Sequence, residues 1–105
     1  MSAWCRIEIL LPLRFNDGQP VPESLIADTL SEIQNHFGPV SQETQKIRGV
    51  WERRGEPQHV LLTRVFIDVE DTTENHRFFI ELKERLKTRF QQRDIWISKH
   101  PVELL

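Results

Sequence analysis

The stretch Leu61-Leu62-Thr63-Arg64-Val65-Phe66-Ile67-Asp68-Val69 decides the fold. In an extended chain successive side chains point to opposite sides, so Thr63, Val65, Ile67 and Val69 share one side, with Leu62, Arg64, Phe66 and Asp68 on the other. The first side is built to be buried. The second mixes charge with large apolar groups, which is not what a plain water face needs. The same alternation runs through Cys5, Ile7, Ile9 and Leu11 against Trp4, Arg6, Glu8 and Leu10, and Pro12 closes it. Two such half-buried strands call for one sheet with one covered face.

Working outward, each strand is neighboured by a helical pattern. Pro22 suits a first helical turn, and Leu25, Ile26, Thr29, Leu30, Ile33 and Phe37 then recur at three- and four-residue spacings before Gly38-Pro39 stops the helix. Asp71 stands three residues before Glu74, which predicts an Asp71 N-cap for a second helix running to about Gln92. Its apolar stripe is Phe78, Phe79, Leu82, Leu86 and Phe90. Val40 to Arg53 reads as a second strand, which the Arg54-Gly55-Glu56-Pro57 turn joins to the strand quoted above as a hairpin. Ile95, Trp96 and Ile97 make the last strand. Two strand–helix–strand halves of this kind predict an α+β, ferredoxin-like split βαβ sandwich (βαββαβ). Its four-stranded antiparallel sheet has the order 4-1-3-2, with two helices on one face.

Length and charge limit what such a domain does. The 105 residues fit a single domain over 1–105, long enough to bury roughly two-thirds of the unfolded chain's surface without disulfides. Fourteen Lys and Arg against sixteen Asp and Glu leave a formal charge of −2, so nothing global attracts nucleic acid or anionic lipid. The one cysteine, Cys5, sits in an apolar alternation and reads as a buried thiol in a reducing compartment. Arg6 and Glu8 interrupt the apolar residues of Met1 to Leu13, which excludes a signal peptide or membrane span there and makes the cytoplasm the expected setting.

The run from Phe15 through Asn16, Asp17, Gly18, Gln19 and Pro20 to Pro22, and the later Asp68-Val69-Glu70-Asp71-Thr72-Thr73-Glu74-Asn75 leading to Phe78-Phe79, resemble a small uncharacterised bacterial protein family of ferredoxin-like architecture. Arg89-Phe90-Gln91-Gln92 before Ile95-Trp96-Ile97 adds to the likeness. The resemblance implies the fold and a prokaryotic cytosolic setting. It brings with it no activity, cofactor or site.

The candidate interaction face follows from the alternation: Trp4, Arg6, Glu8 and Leu10 beside Leu62, Arg64, Phe66 and Asp68, with Trp96 at the margin. An apolar patch of this size marks an interaction surface, and a second copy of the chain is its simplest occupant, giving a homodimer in which the charges pair. A competing expectation has the segment His100 to Leu105 fold back over part of this face. The function read from this is a homo-oligomerising accessory or interaction protein. The alternative is a cofactor-independent small-molecule enzyme of the dimeric α/β-barrel type, monooxygenase- or isomerase-like, with a pocket between sheet and helices. A binding module for another protein shares the same surface logic, with edge strands open to strand addition and charged outer positions Glu43, Lys46, Arg48 and Glu52.

Other chemistry is weaker. A base-stacking role is disfavoured because the Lys/Arg-Gly-aromatic sequence of RNA-recognition strands is missing and Glu8 and Asp68 repel phosphate. The first and third strands, read here as parallel neighbours, have following loops that bring Asp17 beside Asp68, Glu70 and Asp71, a set of oxygen ligands for a hard cation. Each has a simpler job in a turn, a cap or water. His36, His59, His76 and His100 show no zinc-type spacing, and there is no phosphate-binding Gly-rich loop, Gly-x-Ser-x-Gly or Cys-x-x-Cys, so no cofactor is expected. Gly49-Val50-Trp51 reads as a strand position with a bulge or close packing.

Overall fold

The computed structural model describes residues 3–105. In chain order its elements are β1 (Trp4–Pro12), α1 (Glu23–Phe37), β2 (Ser41–Gln42), β3 (Ile47–Arg53), β4 (Glu56–Glu70), α2 (Thr73–Arg89) and β5 (Trp96–Val102). All strand pairings are antiparallel, in the order β2-β4-β1-β5, with β3 also on β4. The expected four strands in the order 4-1-3-2 are therefore corrected to five. The stretch read as one strand, Val40 to Arg53, is broken between Gln42 and Ile47. Four polar residues there, Glu43 to Lys46, face only Thr63 and Arg64 of β4, because Gln42 pairs with Val65 and Ile47 with Leu62. The surplus residues cannot stay in register and loop out as a bulge. It is held where the Glu43 amide donates to the Arg64 carbonyl at 2.9 Å and the Thr63 hydroxyl donates to the Glu43 carbonyl at 3.3 Å.

The core lies between one sheet face and both helices. Cys5, Ile7, Ile9 and Leu11 from β1 and Val65, Ile67 and Val69 from β4 meet Ile26 and Ile33 of α1 and Phe79, Leu82 and Leu86 of α2 in one cluster. Phe90 and Ile95 close it. The helices are tied to each other at their outer margin. Arg89 donates to the buried Thr29 hydroxyl at 2.9 Å and to Glu32 at 2.9 Å, and Arg85 pairs with the same carboxylate at 2.6 Å. Burial alone would push the Glu32 carboxyl up, but hydrogen bonds from Arg89 and Arg85 outweigh it and hold the group below its ordinary range.

Local details differ from the pattern reading for identifiable reasons. The N-cap of α2 is Thr72, not Asp71: the Asn75 amide donates to the Thr72 hydroxyl at 3.1 Å. The Asp71 carboxylate instead reaches across to Lys99 of β5 at 3.1 Å. Strand β5 runs well past Ile97, so His100 and Val102 extend the sheet along β1 and do not fold back over its open face. Its Pro101 is tolerated because β5 is an edge.

The β3–β4 hairpin reaches beyond the rest of the sheet. Pairing of β4 with β1 ends at Pro12 opposite Leu62, with the Leu61 carbonyl still accepting the Leu13 amide at 2.9 Å, whereas β4 from Glu56 to Val60 has only β3 beside it. Arg54 (φ 53°) and Gly55 (φ 78°) form the tip, and two consecutive left-handed residues define the tight hairpin turn whose twist matches the strands.

Candidate functional site

On the open face, opposite the helices, register fixes the neighbours. Arg6 lies directly across from Asp68, Glu8 from Phe66, and Leu10 from Arg64 on one side and Trp96 on the other. Cross-strand partners on one face stand close enough to interact, and here they do so as a lattice of ions. Arg6 grips Asp68 through two parallel bonds, Nε to Oδ1 at 2.8 Å and a terminal amine to Oδ2 at 3.0 Å. Arg64 bonds Glu8 with one amine and Glu43 with the other at 3.0 Å. Both guanidinium groups lie over the Phe66 ring, with centroid distances of 5.2 Å for Arg6 and 4.3 Å for Arg64. The hydrogen bond from Arg6 holds the Asp68 carboxyl below its ordinary range, and the hydrogen bond from Arg64 does the same for Glu8. The reciprocal bonds raise both arginines.

The expected apolar residues thus flank a charged centre. Trp4 is 36 % exposed at one end, and Leu10 and Trp96, the latter 58 % exposed, stand six β1 positions away, roughly 20 Å at strand rise. Phe66 is half-buried beneath its arginines. Leu62, expected on the open patch, is only 4 % exposed, because Pro12 and Ile47 flank it in register and Gly49 brings the β3 backbone close.

The face extends further than pattern reading placed it. Counting by twos from Phe66 along β4 leads to Leu62, Val60 and Gln58, whose partners Ile47, Gly49 and Trp51 continue the same face along the hairpin. Trp51 is 45 % exposed, and its indole leans over Gly49, where an added Cβ would stand 3.0 Å from Trp51 Nε1 and 3.0 Å from Val60 Cγ2. The close packing expected at Gly49 is there. The signal that would have placed Trp51 is the Arg54-Gly55 turn, since a two-residue loop fixes hairpin register. His100 was also missed as a member of this face.

His100 brings together a serine, a histidine and a carboxylate without making a nucleophile. Its Nε2 lies 2.9 Å from the Ser98 hydroxyl and 3.8 Å from a Glu8 oxygen. Proton relay to a serine needs the acid on the other ring nitrogen, so two partners on Nε2 cannot form one.

The carboxylate set read from the loops does not assemble. Strands β1 and β4 are antiparallel, not parallel, so Asp17, after the end of β1, lies at the opposite end of the sheet from Glu70 and Asp71. Asp17 accepts the Gln19 amide at 3.0 Å in its own turn, while Asp68 and Asp71 are paired with Arg6 and Lys99. Among the described residues no three His, Cys, Asp or Glu side chains converge as a metal site. Cys5 is buried and its thiol pushed up, chiefly by that burial. The surface of the described residues has shallow depressions. One of about 420 Å³ borders Arg48, His59, Val60 and Leu61, and one of about 350 Å³ borders Trp4, Phe37, Asp68, Glu70, Glu74 and Asn75. No helix is long and apolar enough to cross a membrane among the described residues.

These observations define an α+β chain with two helices on an antiparallel five-stranded sheet. No protein-family model matches it. No curated protein sequence matches it either. Solved structures do. A phage SAM lyase in complex with S-methyl-5'-thioadenosine is similar with a TM-score of 0.66 and 18 % identity, over 96 % of this chain and 83 % of that one. CutA1 from Oryza sativa is similar with a TM-score of 0.63 and 14 % identity, over 99 % and 84 % of the two chains. A Bacillus cereus protein related to NIF3 gives a TM-score of 0.65 at 8 % identity, with 98 % of this chain covering 26 % of that one. At these identities the likeness is one of fold.

Proposed function

We propose that the chain, taken as one domain over residues 1–105, is a cytoplasmic homo-oligomerising accessory or interaction protein that uses its open sheet face and no cofactor. The observation that carries this is the face itself: exposed Trp4 and Trp96 flank ion pairs that already neutralise one another, and exposed Trp51 continues the face along the hairpin. Tryptophan is the side chain most often found as an interface anchor, and paired charges at the centre cost less to cover than free ones. A homodimer is the simplest such assembly, and another protein is the competing occupant.

The enzyme of dimeric α/β-barrel type has less support. The space between sheet and helices is filled by Ile9, Leu11, Ile33, Val65, Leu82, Leu86 and Phe90, each wholly buried, and Arg6 and Arg64 lie on the other side of the sheet. Nucleic acid also fits poorly, since Glu8, Glu43 and Asp68 neutralise the arginines of the face.

Sedimentation velocity at micromolar concentration tests the proposal on the wild type, Trp96→Glu and Trp4→Glu, with circular dichroism to verify folding. The wild type is expected to exceed monomer mass and the variants to lose the part of that association made through the open face. A monomeric wild type, or variants that associate unchanged, would refute it.

A further inference from the structure

The outer edge of β3 has no strand beside it among the described residues, and its sequence is complementary to itself. Around Val50 the strand reads Ile47-Arg48-Gly49-Val50-Trp51-Glu52-Arg53. Laid antiparallel against a second copy with Val50 opposite Val50, each Arg48 faces a Glu52 and each Glu52 an Arg48. On the other side of the ribbon each Gly49 faces a Trp51. A charge pair and a matched apolar centre recur on both sides of the same point.

The backbone agrees with this register. Arg53 and Glu56 flank the two-residue turn, and a turn's first carbonyl bonds the amide of its fourth residue. Hydrogen bonding then alternates along an antiparallel pair, so Arg53, Trp51, Gly49 and Ile47 spend their amides and carbonyls inward on β4. Glu52, Val50 and Arg48 point theirs outward. Pairing centred on Val50 sets these outward groups against each other, 48 with 52, 50 with 50 and 52 with 48, for about six backbone hydrogen bonds. A slip of one residue would set outward groups against inward ones. A slip of two takes Arg48 away from Glu52. Side chains are free to take part: Val50 is 58 % exposed, and neither Arg48 nor Glu52 has an ion-pair partner among the described residues.

The arm also needs a neighbour. A two-stranded ribbon with both faces wet is marginal in water. Exposed edges are ordinarily blunted against pairing, and the opposite edge of this sheet, β5, carries Pro101, which has no amide hydrogen. The charges on β3 do not blunt it against its own kind.

We propose that β3 pairs with β3 of a second copy of this chain, antiparallel about a twofold axis at Val50, joining two sheets into one. The inference shares with the proposed function only the premise that the chain associates with itself, since the open face and the β3 edge are different surfaces. Where the β3 axis crosses a twofold through the open face at right angles, the two contacts together close a tetramer of 222 symmetry.

Cross-linking tests the axis. Opposed residues of a hydrogen-bonded pair have Cα atoms about 5.5 Å apart, within the span of a disulfide. The Val50→Cys variant is therefore expected to form a covalent dimer on mild oxidation, whereas Glu52→Cys, which faces Arg48, is not. Native Cys5, 2 % exposed, does not interfere. Charge exchange tests the register by sedimentation. Arg48→Glu and Glu52→Arg each set like charges opposite one another and weaken association about tenfold. An equimolar mixture of the two variants pairs opposite charges again and restores it, as does the double variant R48E/E52R. Adding Trp96→Glu to Val50→Cys removes association through the open face and leaves the cross-link intact, so failure of one reading is told apart from failure of the other. Absence of a Val50→Cys dimer above the Glu52→Cys background would overturn the proposal. So would single variants that associate like the wild type, or a mixture that fails to restore association.

Discussion

Replacing Arg64 by Met tests whether the ions of the open face hold its strands together. Arg64 links β4 to β1 through Glu8 and to the bulge through Glu43, and lies over Phe66 at 4.3 Å. Its side chain is 21 % exposed and that of Glu8 28 %, so solvent screens the pair only in part. Partly wet pairs of this kind contribute about 0.5–1 kcal/mol each, and the cation over the ring about 0.5–1 kcal/mol more. Met recovers some of this by keeping the apolar stem covered, so a net loss of about 1–2 kcal/mol is expected. Urea unfolding at fixed protein concentration reads it as a lower midpoint with unchanged slope. The pH dependence makes the test sharper. Because Arg64 lowers the folded pKa of Glu8, the stability from that pair is present above the unfolded pKa and is lost as pH falls through the folded one. The difference between wild type and variant should therefore be largest at neutral pH and shrink in acid, where Glu8 is protonated in both. An equal loss at neutral and acid pH would show that packing, not charge, is what Arg64 contributes, and no loss at all would refute the lattice as a source of stability.

Thr72→Ala removes the acceptor for the Asn75 amide and should cost about 1 kcal/mol in thermal or urea unfolding, while Asp71→Ala should not produce the loss of a cap. Cys5 should resist thiol reagents in the native protein and become labelled only as fast as the chain opens, measured by mass spectrometry; rapid native labelling would contradict its burial.

Much of the architecture was legible because burial and period are so tightly coupled in β1 and β4. Cys5 to Leu11 and Thr63 to Val69 alternate without fault, and both helices carry unbroken apolar stripes. The β2–β3 break was not, since Glu43 to Lys46 are as compatible with a strand's polar side as with a bulge, and only the register of Gln42 and Ile47 on β4 distinguishes them. The cap moved from Asp71 to Thr72 because Lys99, distant in sequence, claims the aspartate. The loop carboxylates failed to meet for a reason of direction that the expected topology already contained. In an antiparallel sheet of order 4-1-3-2 the first and third strands are neighbours running opposite ways, so the loops that follow them lie at opposite ends. The members of the open face could be read residue by residue, but their joining into an ion lattice over Phe66 depended on cross-strand opposition, as did the place of Trp51.

Strand β4 has a consequence for how the chain is made. It is the element on which β1, β2 and β3 all pair, and it ends only at Glu70, followed by the helix and strand that complete the core. As the polypeptide leaves the ribosome, β1 and α1 emerge early, yet every strand partner of β1 lies in β4 or β5. Until those residues are synthesised, Ile7, Ile9 and Leu11 have no sheet to join, and the nascent segment must keep an apolar edge from sticking elsewhere. The charges of Arg6, next to Ile7, and Glu8, between Ile7 and Ile9, favour solvation of that waiting segment before they become part of the folded surface.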